Sequence, residues 1–192
     1  MPETPRDRIL STALRLFNQQ GALTTGIDQI IAESGVAKRT FYRYFPSKVD
    51  LLAAYFRQRN EIWHARLTRY VTANHASPLD RLLSTFDALQ EWYGDPDFFG
   101  CVFMRGLSDF GPDSGAPLLR QCIQEHFDQL ERFLTEQLRE VRPNDYAAFV
   151  PQLMSLIAGS TIVAHATHNP SIAAINKEMA RKLLTDDVLH TR

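Results

Sequence analysis

Four basic side chains, Lys38, Arg39, Arg43 and Lys48, lie between Ala37 and Lys48 with no acid among them. Thr40, Tyr42 and Tyr44 are interleaved with them. This set suits recognition of a polyanion. Cationic groups neutralise phosphates, hydroxyls donate to phosphate oxygens, and guanidinium groups can read base edges in a groove. The wider charge pattern agrees. Residues 1–48 hold seven Lys/Arg and four acids, a net of +3, which leaves −4 for the rest of a chain whose total is −1. A basic end on an acidic body fits a polyanion partner at that end.

Two short helical patterns must position these groups. The stretch from Thr25 reads T-T-G-I-D-Q-I-I-A-E-S-G before the basic helix begins. Thr25 is a suitable N-cap for a helix running to about Ser34, with Ile27, Ile30 and Ile31 facing a core. Gly35 supplies the backbone freedom of a tight turn, and Val36 plugs the space behind it. The next helix is expected from about Ala37 to Phe45. Phe41 and Phe45, four residues apart, share its inner face, which turns Lys38, Arg39, Thr40 and Arg43 outward. Pro46 ends it and Ser47 caps the following helix, whose first residue is Lys48. An earlier helix starts at Thr4–Pro5 and carries Ile9, Leu10, Ala13, Leu14, Leu16 and Phe17 to a stop at Gly21. Residues 1–5 are expected to be disordered up to that start. Together the three helices predict a helix–turn–helix.

The remaining chain also reads as helix. Lys48–His75 lacks proline and glycine, and further helices are expected over about Pro78–Tyr93, Asp97–Asp109, Gly115–Val141, Asp145–His168 and Ser171–Thr185, followed by a loose tail. The helix over 97–109 is apolar on most sides and is expected to be buried. No strand-like alternation, internal repeat or low-complexity tract interrupts the pattern, so the fold class is all-α. The expected division is a helix–turn–helix domain, 1–47, and a larger helical domain, 48–192.

Other chemistries find little support. Cys101 and Cys122 stand apart and read as packed, reduced thiols. His165 and His168 share a helix face but lack a third ligand, and His64 and His126 are isolated, so no metal is expected. No G-x-S-x-G, H-E-x-x-H, P-loop or dinucleotide fingerprint is present, so neither an enzyme nor a cofactor is expected. No uninterrupted run of about 18 apolar residues suggests a membrane span, and the N-terminus lacks an apolar signal core. A cytoplasmic location is expected.

The segment Arg8–Leu52 resembles the DNA-binding domain of the TetR family of transcriptional regulators. The resemblance rests on R-I-L-S-T-A-L-R-L-F-N-Q-Q-G and on G-V-A-K-R-T-F-Y-R-Y-F-P-S-K-V-D-L-L, about a quarter of the chain. Beyond Leu52 only the number and lengths of the helices agree. Ala37 stands where a serine cap is common, Ile31 where alanine is usual and Ala22 where an aromatic is usual; these alter packing rather than the polar face.

The resemblance implies a homodimer on a palindromic, double-stranded DNA operator, most often a repressor released by a small-molecule effector. It implies that Thr25 caps the second helix and touches phosphate. Lys38, Arg39, Thr40 and Arg43 would meet bases and nearby phosphates, while Tyr42, Tyr44 and Lys48 hold the DNA backbone. It further implies a ligand pocket, for which Trp63, Trp92, Phe99, Phe103, Met104 and Met154 are candidate linings for a small apolar or aromatic effector. It places dimer pairing on the last two helices, with Leu156, Gly159, Ser160, Val163, Ile172, Ile175 and Met179 as candidate contacts. The alternative is a DNA-binding protein without an effector, acting structurally or through a protein partner.

Overall fold

The computed structural model describes residues 3–73 and 75–185. Met1 and Pro2, part of the expected disordered start, and the expected loose tail after Thr185 lie outside the described residues. Among those described there are nine α-helices, one 3-10 helix and no strand. The all-α class follows from the repeated helical spacing of apolar residues. The chain packs as two compact units. Of the described residues, one unit joins those up to Ile62 with Cys101–His126; the other joins those of Trp63–Gly100 with those of 127–185.

In the first unit, α1 (Pro5–Gln20), α2 (Ile27–Ser34) and α3 (Lys38–Tyr44) precede the first part of α4 (Lys48–Val71). Thr4 opens α1 with a reciprocal cap. Its hydroxyl accepts from the Asp7 N–H at 3.2 Å, and the Asp7 carboxylate accepts from the Thr4 N–H at 3.1 Å. Glu3 and Thr4 are therefore ordered, against the expectation for residues 1–5. Ile9, Ala13, Leu16 and Phe17 pack inward with Ile30, Val36, Phe41, Phe45, Leu51 and Tyr55. Phe17 meets Tyr55 edge-on at 5.2 Å, and Arg15 bonds Glu33 at 2.6 Å, tying α1 to α2.

The same unit holds α6 (Val102–Asp109), the 3-10 helix Pro112–Ser114 and the start of α7 (Pro117–Val141). Phe56 packs against Phe103 and Phe110 at 5.5 and 6.1 Å. Gly106 has no room for a Cβ, which would lie 2.7 Å from Ile123 Cδ1. Here the sequence expectation needs correction. Gly100 adopts φ 78, and α6 begins only at Val102 rather than near Asp97. It is two-faced, not buried all round: Val102, Phe103 and Gly106 face inward, while Arg105 and Leu107 face solvent. Helix α7 begins at Pro117 rather than near Gly115, which at φ 67 closes the preceding 3-10 turn.

The second unit is built on α5 (Pro78–Tyr93), α8 (Tyr146–Thr167) and α9 (Ile172–Thr185), with the later parts of α4 and α7. Ser77 caps α5 and Pro78 takes its first position. Leu82, Leu83, Phe86 and Leu89 of α5 join Leu130, Leu134, Leu138, Phe149, Leu153, Ile157 and Leu184 in one apolar core. Ala173 and Ala180, seven apart and fully buried, let α9 lie close to its neighbours. Lys177–Asp87 at 2.6 Å and Arg181–Asp80 at 3.5 Å cross from α9 to α5. Helix α4 stops at Val71, short of His75, whose ring nitrogen meets the Tyr70 carbonyl at 2.7 Å.

Helix α8 contains no Asp, Glu, Lys or Arg. It is long and apolar enough to cross a membrane, yet its inner face packs on α5 and α9, with Tyr93 Oη 2.9 Å from Thr161 Oγ1. Only 39% of its apolar stretch is buried. Ile162 (59% exposed) and Val163 on α8, with Ile175 (54%) and Met179 (51%) on α9, are left on the outside. Ser160 corrects the sequence reading: it is buried, so it cannot belong to an outward contact face in this structure.

Gly35 holds the turn between α2 and α3 at φ 65, ψ 26, the left-handed region that a side chain disfavours. A Cβ there would meet only Arg8 Nη1, at 4.0 Å, so the cost of adding one lies in the backbone. Gly35→Ala is expected to lose about 1–2 kcal/mol. Gly35→Asn should lose less, because asparagine tolerates this region. Urea melts that rank the two variants equally would contradict a backbone origin.

Candidate nucleic-acid interface

The interface begins with the two aromatic residues that fix how α3 lies. Phe41 is fully buried and Phe45 nearly so, their rings 6.2 Å apart. With this face turned inward, Lys38, Arg39, Tyr42 and Arg43 are exposed, and Thr40 and Tyr44 are half-buried. No side chain caps α3 at Ala37; the Ala37 carbonyl instead accepts from the Thr40 and Phe41 N–H groups at 2.8 and 3.0 Å. All of the residues expected on the outer face of α3 are thus on one short, solvent-facing helix.

Their internal partners differ. Lys38 bonds Asp28 of α2 at 3.3 Å, an exposed pair of the kind worth about 0–1 kcal/mol, so it yields readily to a phosphate. Arg43 lies over the Tyr44 ring at 5.0 Å, and its Nη2 is 3.4 Å from the Tyr44 hydroxyl. Arg39 has no hydrogen bond or ion pair among the described residues. Tyr42 packs edge-on against Phe41 at 5.3 Å, which leaves its hydroxyl outside the core.

Lys48 begins α4, and Ser47 caps that helix by accepting from the Asp50 N–H at 3.2 Å. The Lys48 ammonium donates to the Leu23 carbonyl at 3.2 Å. Partial burial lowers its pKa below the ordinary lysine value. This bond ties the start of α4 to the segment between α1 and α2. Sequence pattern could not find it, because the two residues are 25 apart and the acceptor is a backbone atom.

Thr25 departs from its expected role. It is fully buried, and its hydroxyl donates to the Gly21 carbonyl at 2.8 Å. Gly26, not Thr25, is the N-cap of α2, and no side chain satisfies that helix's first N–H groups. Thr25 therefore closes the end of α1 and cannot meet a phosphate in this conformation. The first turn of α2 instead keeps backbone donors free for an anion.

The expected pocket residues separate. Phe103 and Met104 belong to the first unit, where Phe103 stacks on His126 at 3.7 Å. Trp63, Trp92, Phe99 and Met154 belong to the second. There Trp63 and Trp92 stand 5.4 Å apart, and Trp92 meets Phe98 at 5.0 Å. Met154 lines a surface groove of about 420 Å³ with Glu131, Thr135, Tyr146, Ala147, Val150 and Pro151, whose lining includes neither tryptophan. His165 and His168 have ring centroids 6.5 Å apart. No group of three or more metal-ligating side chains occurs among the described residues.

Comparison with known proteins bears on this arrangement. Residues 9–55 match the family described as bacterial regulatory proteins, tetR family. An uncharacterized HTH-type transcriptional regulator of Mycobacterium tuberculosis is 36% identical over 145 residues, covering 62% of this chain and 70% of the relative. The HTH-type transcriptional repressor NemR of Escherichia coli is 26% identical over 133 residues, covering 62% and 67%. The crystal structure of a TetR-family transcriptional regulator from Streptomyces coelicolor superposes with a TM-score of 0.84 at 27% identity, covering 94% of each chain. The chain belongs to the TetR family of DNA-binding transcriptional regulators, which are not enzymes.

Proposed function

We propose that the protein is a cytoplasmic repressor that binds a palindromic operator as a homodimer and releases it on binding a small-molecule effector. The observation that carries the reading is the outer face of α3, where Arg39, Tyr42 and Arg43 are exposed without an acid partner. The division of labour falls near residue 47. Residues up to the start of α4, Lys48 included, meet DNA, and those after it pair two chains and sense the effector. The relative named a repressor supports the sign of regulation.

In this reading Arg39, Arg43, Lys38 and Thr40 face base edges and adjoining phosphates. Tyr42, Tyr44 and Lys48 hold the duplex backbone. Gly26, through the free N–H groups that follow it, takes the place expected for Thr25. The exposed apolar residues Val163, Ile175 and Met179, with Gly159 leaving open space on α8, form the self-complementary patch; Leu156 and Ile172 support it from partly buried positions. A two-fold dimer presents two copies of α3 about 34 Å apart, matching successive major grooves. The effector must bind the released conformation more tightly than the operator-bound one, since equal affinity shifts nothing.

Selection of bound duplexes from a random pool tests the core of the reading, with an inverted repeat as the expected product. On the recovered site, Arg39→Ala and Arg43→Ala should relax base preference, each at a cost of about 1–3 kcal/mol if the contact is bidentate. Tyr42→Phe and Lys48→Ala should weaken all duplexes alike, and Lys48→Ala should reduce the salt slope by about 0.9. A uniform loss for both arginines would make them phosphate contacts instead.

Val163→Glu and Ile175→Glu replace exposed residues and should leave the chain folded. Sedimentation is expected to show a dimer for the native chain and a monomer for these variants, with loss of operator affinity. Dimers that survive both charges would remove this patch from the interface. For the effector, the chain's only two tryptophans, Trp63 and Trp92, provide an intrinsic probe. A compound that releases the operator should quench or shift their emission; release with unchanged emission would place the site away from them.

A further inference from the structure

Two arginines of α1, outside the α2–α3 pair, share the condition of those on α3. Among the seven cations of residues 1–48, Arg15 is paired with Glu33, Lys38 with Asp28, and Lys48 donates to a carbonyl. Arg6, Arg8, Arg39 and Arg43 form no ion pair among the described residues, although the charge of Arg6 helps to lower the pKa of neighbouring Asp7. The four acids of the same stretch are committed elsewhere. Glu33 and Asp28 hold the two pairs, Glu3 accepts from Ser11 Oγ at 3.1 Å, and Asp7 accepts from Thr4 Oγ1 at 2.6 Å in the cap of α1. Arg6 and Arg8 are both exposed on the first turns of α1.

Their placement is specific. The Arg6 guanidinium lies over the Phe45 ring, 5.7 Å from its centroid, at the residue that ends α3. Arg8 reaches the turn that precedes α3, with Nη1 4.0 Å from where a Cβ on Gly35 would stand. Residues two apart on a helix point to nearly opposite sides, so one turn of α1 sends a guanidinium to each end of α3. Stacking on Phe45 restrains Arg6 and lowers the ordering cost of an added contact. A planar guanidinium is suited to bidentate contact with phosphate oxygens.

We propose that Arg6 and Arg8 are additional phosphate contacts, gripping the duplex backbone on either side of the groove that α3 enters. The proposal rests on the DNA-binding reading above and extends the contact surface from α3 and the start of α4 to α1. Arg6 and Arg8 add affinity without base preference, so they act equally on specific and scrambled duplexes.

The test is a salt series of equilibrium binding with the full chain, using the selected duplex and a scrambled one of equal length. Arg6→Ala and Arg8→Ala should each lower the slope of log affinity against log salt by about 0.9 on both duplexes. Arg6→Lys should keep most of the slope, and Arg15→Gln, which alters a cation already paired with Glu33, should leave it unchanged. Arg6→Gln retains the stem over Phe45 and serves in place of the alanine variant if thermal melts show that the latter is unfolded. Native slopes in the Arg6 and Arg8 variants, with base preference still relaxed in Arg39→Ala, would overturn this proposal alone. A changed base preference on repeated selection would also overturn it, by making either arginine a reader of sequence. A native chain that retains no duplex would overturn both this proposal and the reading beneath it.

Discussion

The orientation of α3 depends on burying two phenylalanines one helical turn apart. Phe41 and Phe45 occupy the inner side of a helix only seven residues long, with Phe45 at its cap. Such a helix is too short to persist in water from its own hydrogen bonds. Its stability comes from that apolar face, and truncating a buried phenylalanine costs about 3–5 kcal/mol. The same burial determines which side chains point outward. A rotation of α3 by one residue would expose Phe41 and bury a cation, so packing and the direction of the basic face are set together. Ile30 and Val36 complete the inner surface, while Gly35 lets the chain reverse between the two helices without strain.

The second unit solves a different problem. Helix α8 has apolar residues on more of its circumference than its inner neighbours cover. Phe149, Leu153 and Ile157 fill the core beside α5 and α9, and the Tyr93–Thr161 hydrogen bond satisfies buried hydroxyls there. The outward residues have no such covering. On α9 the polar partners lie to one side: Lys177 and Arg181 pair with acids of α5, which fixes the direction of the remaining face. The outer residues Ile175 and Met179 then follow from a helical period of 3.6 residues. Arg69 makes a comparable tie from α4 to Glu91 of α5 at 2.5 Å, and Arg66 reaches Asp95, just past the end of α5, at 2.7 Å.

Local punctuation was legible in the sequence. Thr4–Pro5, Gly21, Gly35, Ser47 and Ser77–Pro78 each act at the helix end where their side chain or missing side chain is useful. The outward face of α3 was legible for the same reason, since the spacing of Phe41 and Phe45 is enough to orient a helix. What depended on distant partners was not. Thr25 was the expected cap, but its hydroxyl is taken by the Leu16 and Gly21 carbonyls, nine and four residues earlier, and Gly26 caps α2 instead. Ser160 and Gly159 are both small, but only the three-dimensional neighbours decide which one points inward. The aromatic residues outside α3 were the least legible: an apolar ring is equally at home beside His126, as Phe103 is, or beside another tryptophan, as Trp63 is. The Lys48–Leu23 bond belongs to the same class.

Among the described residues Arg39 takes part in no hydrogen bond or ion pair, and Arg43 lies against its neighbour Tyr44. Phe41, between them in the chain, is indispensable to the core. Alternate positions of one heptapeptide therefore carry unrelated obligations. Exposed positions away from special features usually tolerate replacement within about 0.5 kcal/mol, whereas the residues behind them do not. After a gene duplication, two copies of such a protein can come to differ at positions 39 and 43 while their folding stability stays where it was.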